Sequence, residues 1–180
     1  MQVDTQDYLT LCELAPNGLC FWDLETSGLG ADYGDISISS FKYYGKKPFT
    51  LLATDYKNEA EFLTAICKVL ANSFCWASFN GKRFDYTFLT TRLMELGLPP
   101  LEKKVHLDLY QQIRGKVRIS GKSLSNLSRF FKLGESKMDL HQDVWRLKDY
   151  DQLKKRCESD VRITEELYKT IKPFILQVTR

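Results

Sequence analysis

The sequence predicts an α/β fold, a mixed sheet of three antiparallel strands followed by parallel strands, flanked by helices. Residues 19–53 hold three short β-rich runs separated by Gly- and Pro-containing turns. From residue 58 onward, helical periodicity alternates with short apolar runs. Strands first and alternation afterwards require a sheet that changes from antiparallel to parallel, with helices covering its faces. A length of 180 residues supplies enough core without disulfide or metal staples, so residues 1–180 read as a single domain.

Residues 1–16 read as a lead-in segment ending at the turn Pro16-Asn17-Gly18. Residues 19–25 form a strand that stops at Thr26-Ser27-Gly28. Residues 35–44, with Ile36, Ile38, Phe41 and Tyr43, pair with residues 49–53 across the turn Gly45-Lys46-Lys47-Pro48. Asn58 is an N-cap, Glu59 and Glu61 suit the first helical turn, and Phe62, Leu63, Ile66, Val69 and Leu70 recur at helical spacing. Residues 74–79 make a short apolar strand. Asn80-Gly81 then turns into a helix carrying Phe84, Phe88, Leu89 and Leu93, ended by Gly97 and Pro99-Pro100. Residues 105–109 form one more strand, and residues 123–131 a helix with Leu124, Leu127 and Phe130 on one face. The last helix, from about residue 149 to 171, carries the stripe Leu153, Cys157, Val161, Thr164, Tyr168 and Ile171.

Composition is that of a globular protein, 43% hydrophobic and 27% charged, which excludes a largely disordered chain. A net charge of +3 permits nucleic-acid binding without arguing for it. The five cysteines are odd in number, form no CxxC pair and sit mostly in apolar runs, so free thiols in a reducing compartment are expected. Residues 1–10 lack a basic-then-apolar signal pattern, and no apolar stretch approaches the roughly 20 residues that span a bilayer. A cytoplasmic protein without a membrane partner is expected.

The chemistry lies in acidic residues. Asp23 and Glu25 are two apart on a strand, so both project from one face while Trp22 and Leu24 point the other way. Two carboxylates on one face of so apolar a strand repel, and burial without a partner is costly. A divalent cation resolves that cost, because hard oxygen ligands suit Mg²⁺ or Mn²⁺; a strand end reaching solvent is the plain alternative. Asp85 sits early in a helix that follows the Asn80-Gly81 turn, where complementing the helix dipole, worth roughly 0.3–1 kcal/mol, is its ordinary explanation. Asp160 lies mid-helix at the margin of the apolar stripe, and a surface ion pair with Arg156, four residues earlier, is its ordinary explanation.

Three segments together resemble the DEDD (DnaQ-like) 3′–5′ exonucleases, a family of RNase H-like fold. The first motif is Phe21-Trp22-Asp23-Leu24-Glu25-Thr26-Ser27-Gly28-Leu29, the second runs from Phe79 to Leu89 around Asp85, and the third from Cys157 to Thr164 around Asp160. The branch most similar comprises family-B polymerase proofreading domains and stand-alone exonucleases, which His106-Leu107-Asp108-Leu109 and Ser123-Leu124-Ser125-Asn126-Leu127 also resemble. The resemblance implies hydrolysis of phosphodiester bonds at single-stranded 3′ ends, DNA favoured over RNA. It implies two Mg²⁺ or Mn²⁺ ions held by Asp23, Glu25, Asp85 and Asp160, with Asp23 bridging them. In such a site two ions about 3.5–4 Å apart clamp the attacking and leaving oxygens. Thr26, Ser27, Leu29 and Asn80 would meet the terminal nucleotide, and Lys82, Arg83, Arg114, Lys116, Arg118 and Lys122 could supply phosphate contacts; the last four read as a loop, for which a solvated basic loop is the equal alternative.

One position departs from the pattern. The family orients the attacking water with a Tyr four residues before the third-motif Asp, or a His five before; here Arg156 and Lys155 stand there. Arg156 would border the site and bind substrate, but arginine does not act as a base. The alternative implied is a weak or inactive exonuclease fold, acting as a nucleic-acid-binding module in a replication, repair or RNA-processing assembly.

Overall fold

In the computed structural model, which describes residues 5–134, 144 and 148–175, strand β1 (Leu19–Thr26) is the centre of the sheet. β1 pairs antiparallel with β2 (Ile36–Tyr43), and β2 antiparallel with β3 (Phe49–Leu52). On its other side β1 runs parallel to β4 (Cys75–Ser78), and β4 parallel to β5 (Val105–Asp108). The five-stranded order β3-β2-β1-β4-β5 is an RNase H-like mixed sheet, three antiparallel strands followed by two parallel ones.

Helices α1 (Thr5–Leu14), α2 (Glu59–Ala71), α3 (Asp85–Glu95), α4 (Leu109–Arg114), α5 (Leu124–Phe131) and α6 (Tyr150–Ile175) cover the two faces. The period of two along β1 sorts the core. Leu19 and Phe21 pack with Leu9 of α1, Leu109 and Ile113 of α4, Leu127 of α5 and Val161 and Tyr168 of α6. Cys20, Trp22 and Leu24 enter the opposite layer with Phe62 and Ile66 of α2 and Phe88 and Leu89 of α3. Asn58 caps α2 as its chemistry predicts, its Oδ1 accepting the Glu61 N–H at 2.9 Å. All five cysteines are free thiols, four of them buried.

Three expectations change. The supposed lead-in contains α1, held down by buried Leu9 and Cys12 and by Glu13, whose carboxylate accepts from the Tyr168 hydroxyl and from Lys172 at 2.6–2.7 Å. Helix α4 occupies the start of the supposed basic loop, its N-terminus capped by Asp108. Phe130 is exposed, and α5 turns Leu124, Leu127 and Ser128 inward instead. His141 falls outside the described residues. Among the described residues no helix is long and apolar enough to cross a membrane.

Candidate active site

The β1–β2 ladder continues to Thr26, whereas the β1–β4 ladder is registered from Leu19↔Cys75 to Phe21↔Ala77. Past Phe21, therefore, β1 extends beyond its parallel neighbour, and a cleft of about 680 Å³ opens at the carboxyl ends of the two strands. Here the strand order reverses direction about β1, the place where open α/β sheets characteristically bind ligands.

Nine of the residues singled out by sequence, Asp23, Glu25, Thr26, Ser27, Leu29, Asn80, Asp85, Arg156 and Asp160, line this cleft. Asp23 and Glu25 project from the β1 face that α6 covers; Glu25 is buried and Asp23 half-buried. Asp85, the first residue of α3, is buried, and its Oδ1 accepts the Leu24 N–H at 2.9 Å. That bond ties α3 to the part of β1 which β4 no longer pairs. Gly81 permits the approach: a Cβ there would stand 2.4 Å from Ser78 Oγ and 2.9 Å from Asp85 Oδ2. Asp160 is buried on α6. Arg156, one turn earlier, places Nε 3.1 Å from Glu25 Oε1, so α6 brings a cation to the acid pair of β1.

Sequence reasoning gave no role to four contributors, Cys157, Asp108, Ser123 and Ser125. Cys157 Sγ lies 3.4 Å from Asp23 Oδ2 and 3.5 Å from Asp23 O. Ligand atoms of Asp23, Glu25 and Cys157 all fall within 4.8 Å of one another, while Asp85 and Asp160 line the cleft outside that trio. Burial first, then the charges of Asp23 and Glu25, pushes the Cys157 thiol well above its usual range. Cys157 therefore acts as a neutral donor to Asp23. Asp108, fully buried, accepts the N–H groups of Asn80 at 3.0 Å and Lys82 at 3.1 Å, holding Asn80 in the left-handed conformation (φ 63°) that turns it toward the cleft. Ser123 and Ser125, at the start of α5, complete the wall. Thr26 and Ser27 use their hydroxyls within the loop, Thr26 Oγ1 donating to Gly28 O at 2.7 Å and Ser27 Oγ accepting the Asp35 N–H at 2.9 Å. Lys82, Arg83, Arg114, Lys116, Arg118 and Lys122 are not among the lining residues.

The donor set suits a hard divalent cation. Four carboxylates, Asp23, Glu25, Asp85 and Asp160, line the cleft against the single Cys157 sulfur beside Asp23, the oxygen-rich set that Mg²⁺ or Mn²⁺ prefers.

A family model described as RNase_H superfamily matches residues 20–172. No curated protein matches the chain. Among solved structures it is similar to the family B DNA polymerase from the hyperthermophilic archaeon Pyrobaculum calidifontis, with a TM-score of 0.75 and 16% identity over 89% of this chain. The match covers 25% of the polymerase chain, so this chain spans about a quarter of its length. At that identity the likeness is one of fold.

Proposed function

The chain belongs to the RNase H superfamily, and from that premise we propose that it is a metal-dependent 3′–5′ exonuclease acting on single-stranded nucleic acid, DNA in preference to RNA. The observation that carries this reading is the convergence of Asp23, Glu25, Asp85 and Asp160, from three separate segments, on one cleft. Burying so many carboxylates together is unfavourable unless a cation is to be held there.

Asp23, Glu25, Asp85 and Asp160 would hold two Mg²⁺ or Mn²⁺ ions, which when bound supply charge neutralisation and water activation. The protein's own groups set the positions. Leu24 N–H fixes Asp85, and the Cys157 thiol donates to Asp23. Asn80 and residues 26–29 form the walls against which the terminal nucleotide is oriented. Arg156 can only donate hydrogen bonds, so its part is to bind phosphate oxygens.

The Arg156–Glu25 ion pair also favours a second reading, a nucleic-acid-binding module with little catalysis, because a cation already engages a candidate ligand and Arg156 stands where the family resemblance places a water-orienting tyrosine. Incubation of 5′-labelled DNA and RNA oligonucleotides in Mg²⁺, Mn²⁺ and EDTA separates the two. A metal-dependent ladder shortening from the 3′ end, abolished in Asp23→Ala with the fold retained, supports the exonuclease. Binding without cleavage in either metal supports the module, and cleavage of circular DNA would replace both with an endonuclease.

A further inference from the structure

The loop between β1 and β2 is more firmly built than an exposed connection needs to be. Its ends are closed by two hydrogen bonds at 2.9 Å, Ser27 N–H to Asp35 O and Asp35 N–H to Ser27 Oγ. Its middle is pinned where the Ala31 carbonyl accepts from Arg92 Nη1 at 3.0 Å. Arg92 is itself held by Glu59, with Nε and Nη2 donating to the two carboxylate oxygens at 2.7 and 2.6 Å. A planar, two-pronged pair of this kind fixes geometry as well as charge.

Such a loop nevertheless displays its two large apolar side chains to solvent. Leu29 is 84% exposed and Tyr33 73% exposed. The Tyr33 ring rests on glycine backbone: a Cβ on Gly28 would come within 2.9 Å of Tyr33 Cε2, and a Cβ on Gly30 within 2.7 Å of Cε1. Side chains at those positions would push the ring away. The ring is thus seated on Gly28 and Gly30, and Gly28 and its neighbour Leu29 line the acid cleft. Burial does not explain it, since most of its surface faces water.

We propose that Tyr33 is a base-stacking platform for single-stranded nucleic acid at the rim of the cleft, and that Arg92, through Ala31, is the positioning residue that keeps the platform in place. Bases of every type offer a π-face, so a fixed aromatic ring grips a strand without reading its sequence. The inference rests on the nucleic-acid reading of the cleft and adds a nucleotide subsite to it.

Fluorescence anisotropy tests it, with a labelled single-stranded oligonucleotide, in EDTA and again in Ca²⁺. Tyr33→Ala is expected to weaken binding by roughly 5- to 150-fold, the range spanned by aromatic–base stacking. Tyr33→Phe should bind within about twofold of the unaltered chain. Placing an abasic nucleotide successively along the 3′ half should reveal one position at which the unaltered chain and Tyr33→Ala bind equally, a result that a merely structural role for Tyr33 would not produce. Equal binding of the intact oligonucleotide by both proteins, each folded by circular dichroism, overturns the platform while leaving the nucleic-acid reading intact. Failure of the unaltered chain to bind any single strand overturns both.

Discussion

Arg156 Nε stands 3.1 Å from Glu25 Oε1, although the two residues are 131 positions apart in sequence. Glu25 is nearly buried while Arg156 keeps a quarter of its side chain exposed, so the guanidinium offsets charge on a buried carboxylate at modest cost. The guanidinium occupies charge that a divalent ion would also claim. Removing it should tighten metal binding. For Arg156→Ala we expect the Mn²⁺ affinity measured by calorimetry to rise on the order of fivefold, the worth of a partly exposed pair. Unchanged or weaker affinity would show that Arg156 does not compete for Glu25.

Asp85 carries a second, structural duty, since its Oδ1 accepts the Leu24 N–H at 2.9 Å in a buried setting. Asp85→Ala leaves that N–H without its acceptor and should cost about 1–3 kcal/mol of stability. Asp85→Asn keeps an acceptor oxygen and should hold close to full stability while losing the charge through which Asp85 is proposed to hold metal. Chemical denaturation of both variants in EDTA checks the contrast. Equal stabilities would mean that the Leu24 bond contributes nothing.

Much of this arrangement was legible because its signals are local. The alternation of Asp23 and Glu25 against Trp22 and Leu24, the Asn58 cap and the stripe from Leu153 to Ile171 each lie within one element, where period alone sorts residues to faces. The missed features depend on contacts distant in sequence. Helix α1 is anchored by Glu13 reaching Tyr168 and Lys172. The short α4 is announced only by Asp108, which also clamps the turn at Asn80. Cys157 reads as one more apolar position on the stripe, and only the packing of α6 on β1 brings its thiol to Asp23. Arg156 is in reach of Asp160 by helical spacing, and no local rule turns it toward Glu25.

His106 gives the fold a pH dependence of definite sign. Its Nε2 lies 2.7 Å from Ser78 Oγ, and its ring packs against Trp22, Trp76 and Tyr86. Burial, then the charge of Lys82, lowers its pKa from 6.5 to about 4. The unfolded chain therefore binds this proton more readily than the folded one. The stabilising contribution is complete above about pH 6.5, declines as pH falls, and is gone below about pH 4. The full difference is on the order of 3 kcal/mol. Melting temperatures from pH 7.5 to 4.5 should fall less steeply for His106→Gln than for the unaltered chain; parallel curves would remove His106 as the cause.

The position of Arg156 also makes a prediction about turnover. It precedes Asp160 by one helical turn, and both line the cleft with Glu25. Arginine donates hydrogen bonds but cannot accept a proton from water or hold a water by its lone pair. A tyrosine hydroxyl can do the latter, and misplacing a nucleophile by about an ångström costs on the order of 100-fold. Arg156→Tyr also removes the cation from Glu25, freeing that carboxylate for metal. Both effects act in the same direction, so kcat for oligonucleotide hydrolysis in Mg²⁺ should be higher for Arg156→Tyr than for the unaltered chain, with Arg156→Ala gaining metal affinity but no orienter. Arginine can instead serve the reaction by stabilising charge on the phosphate as it develops. The two roles predict opposite results: if activity collapses in both the Tyr and the Ala variant while their folds and metal binding are retained, the guanidinium is itself catalytic, and the chain has exchanged a water-orienting group for a phosphate-binding one.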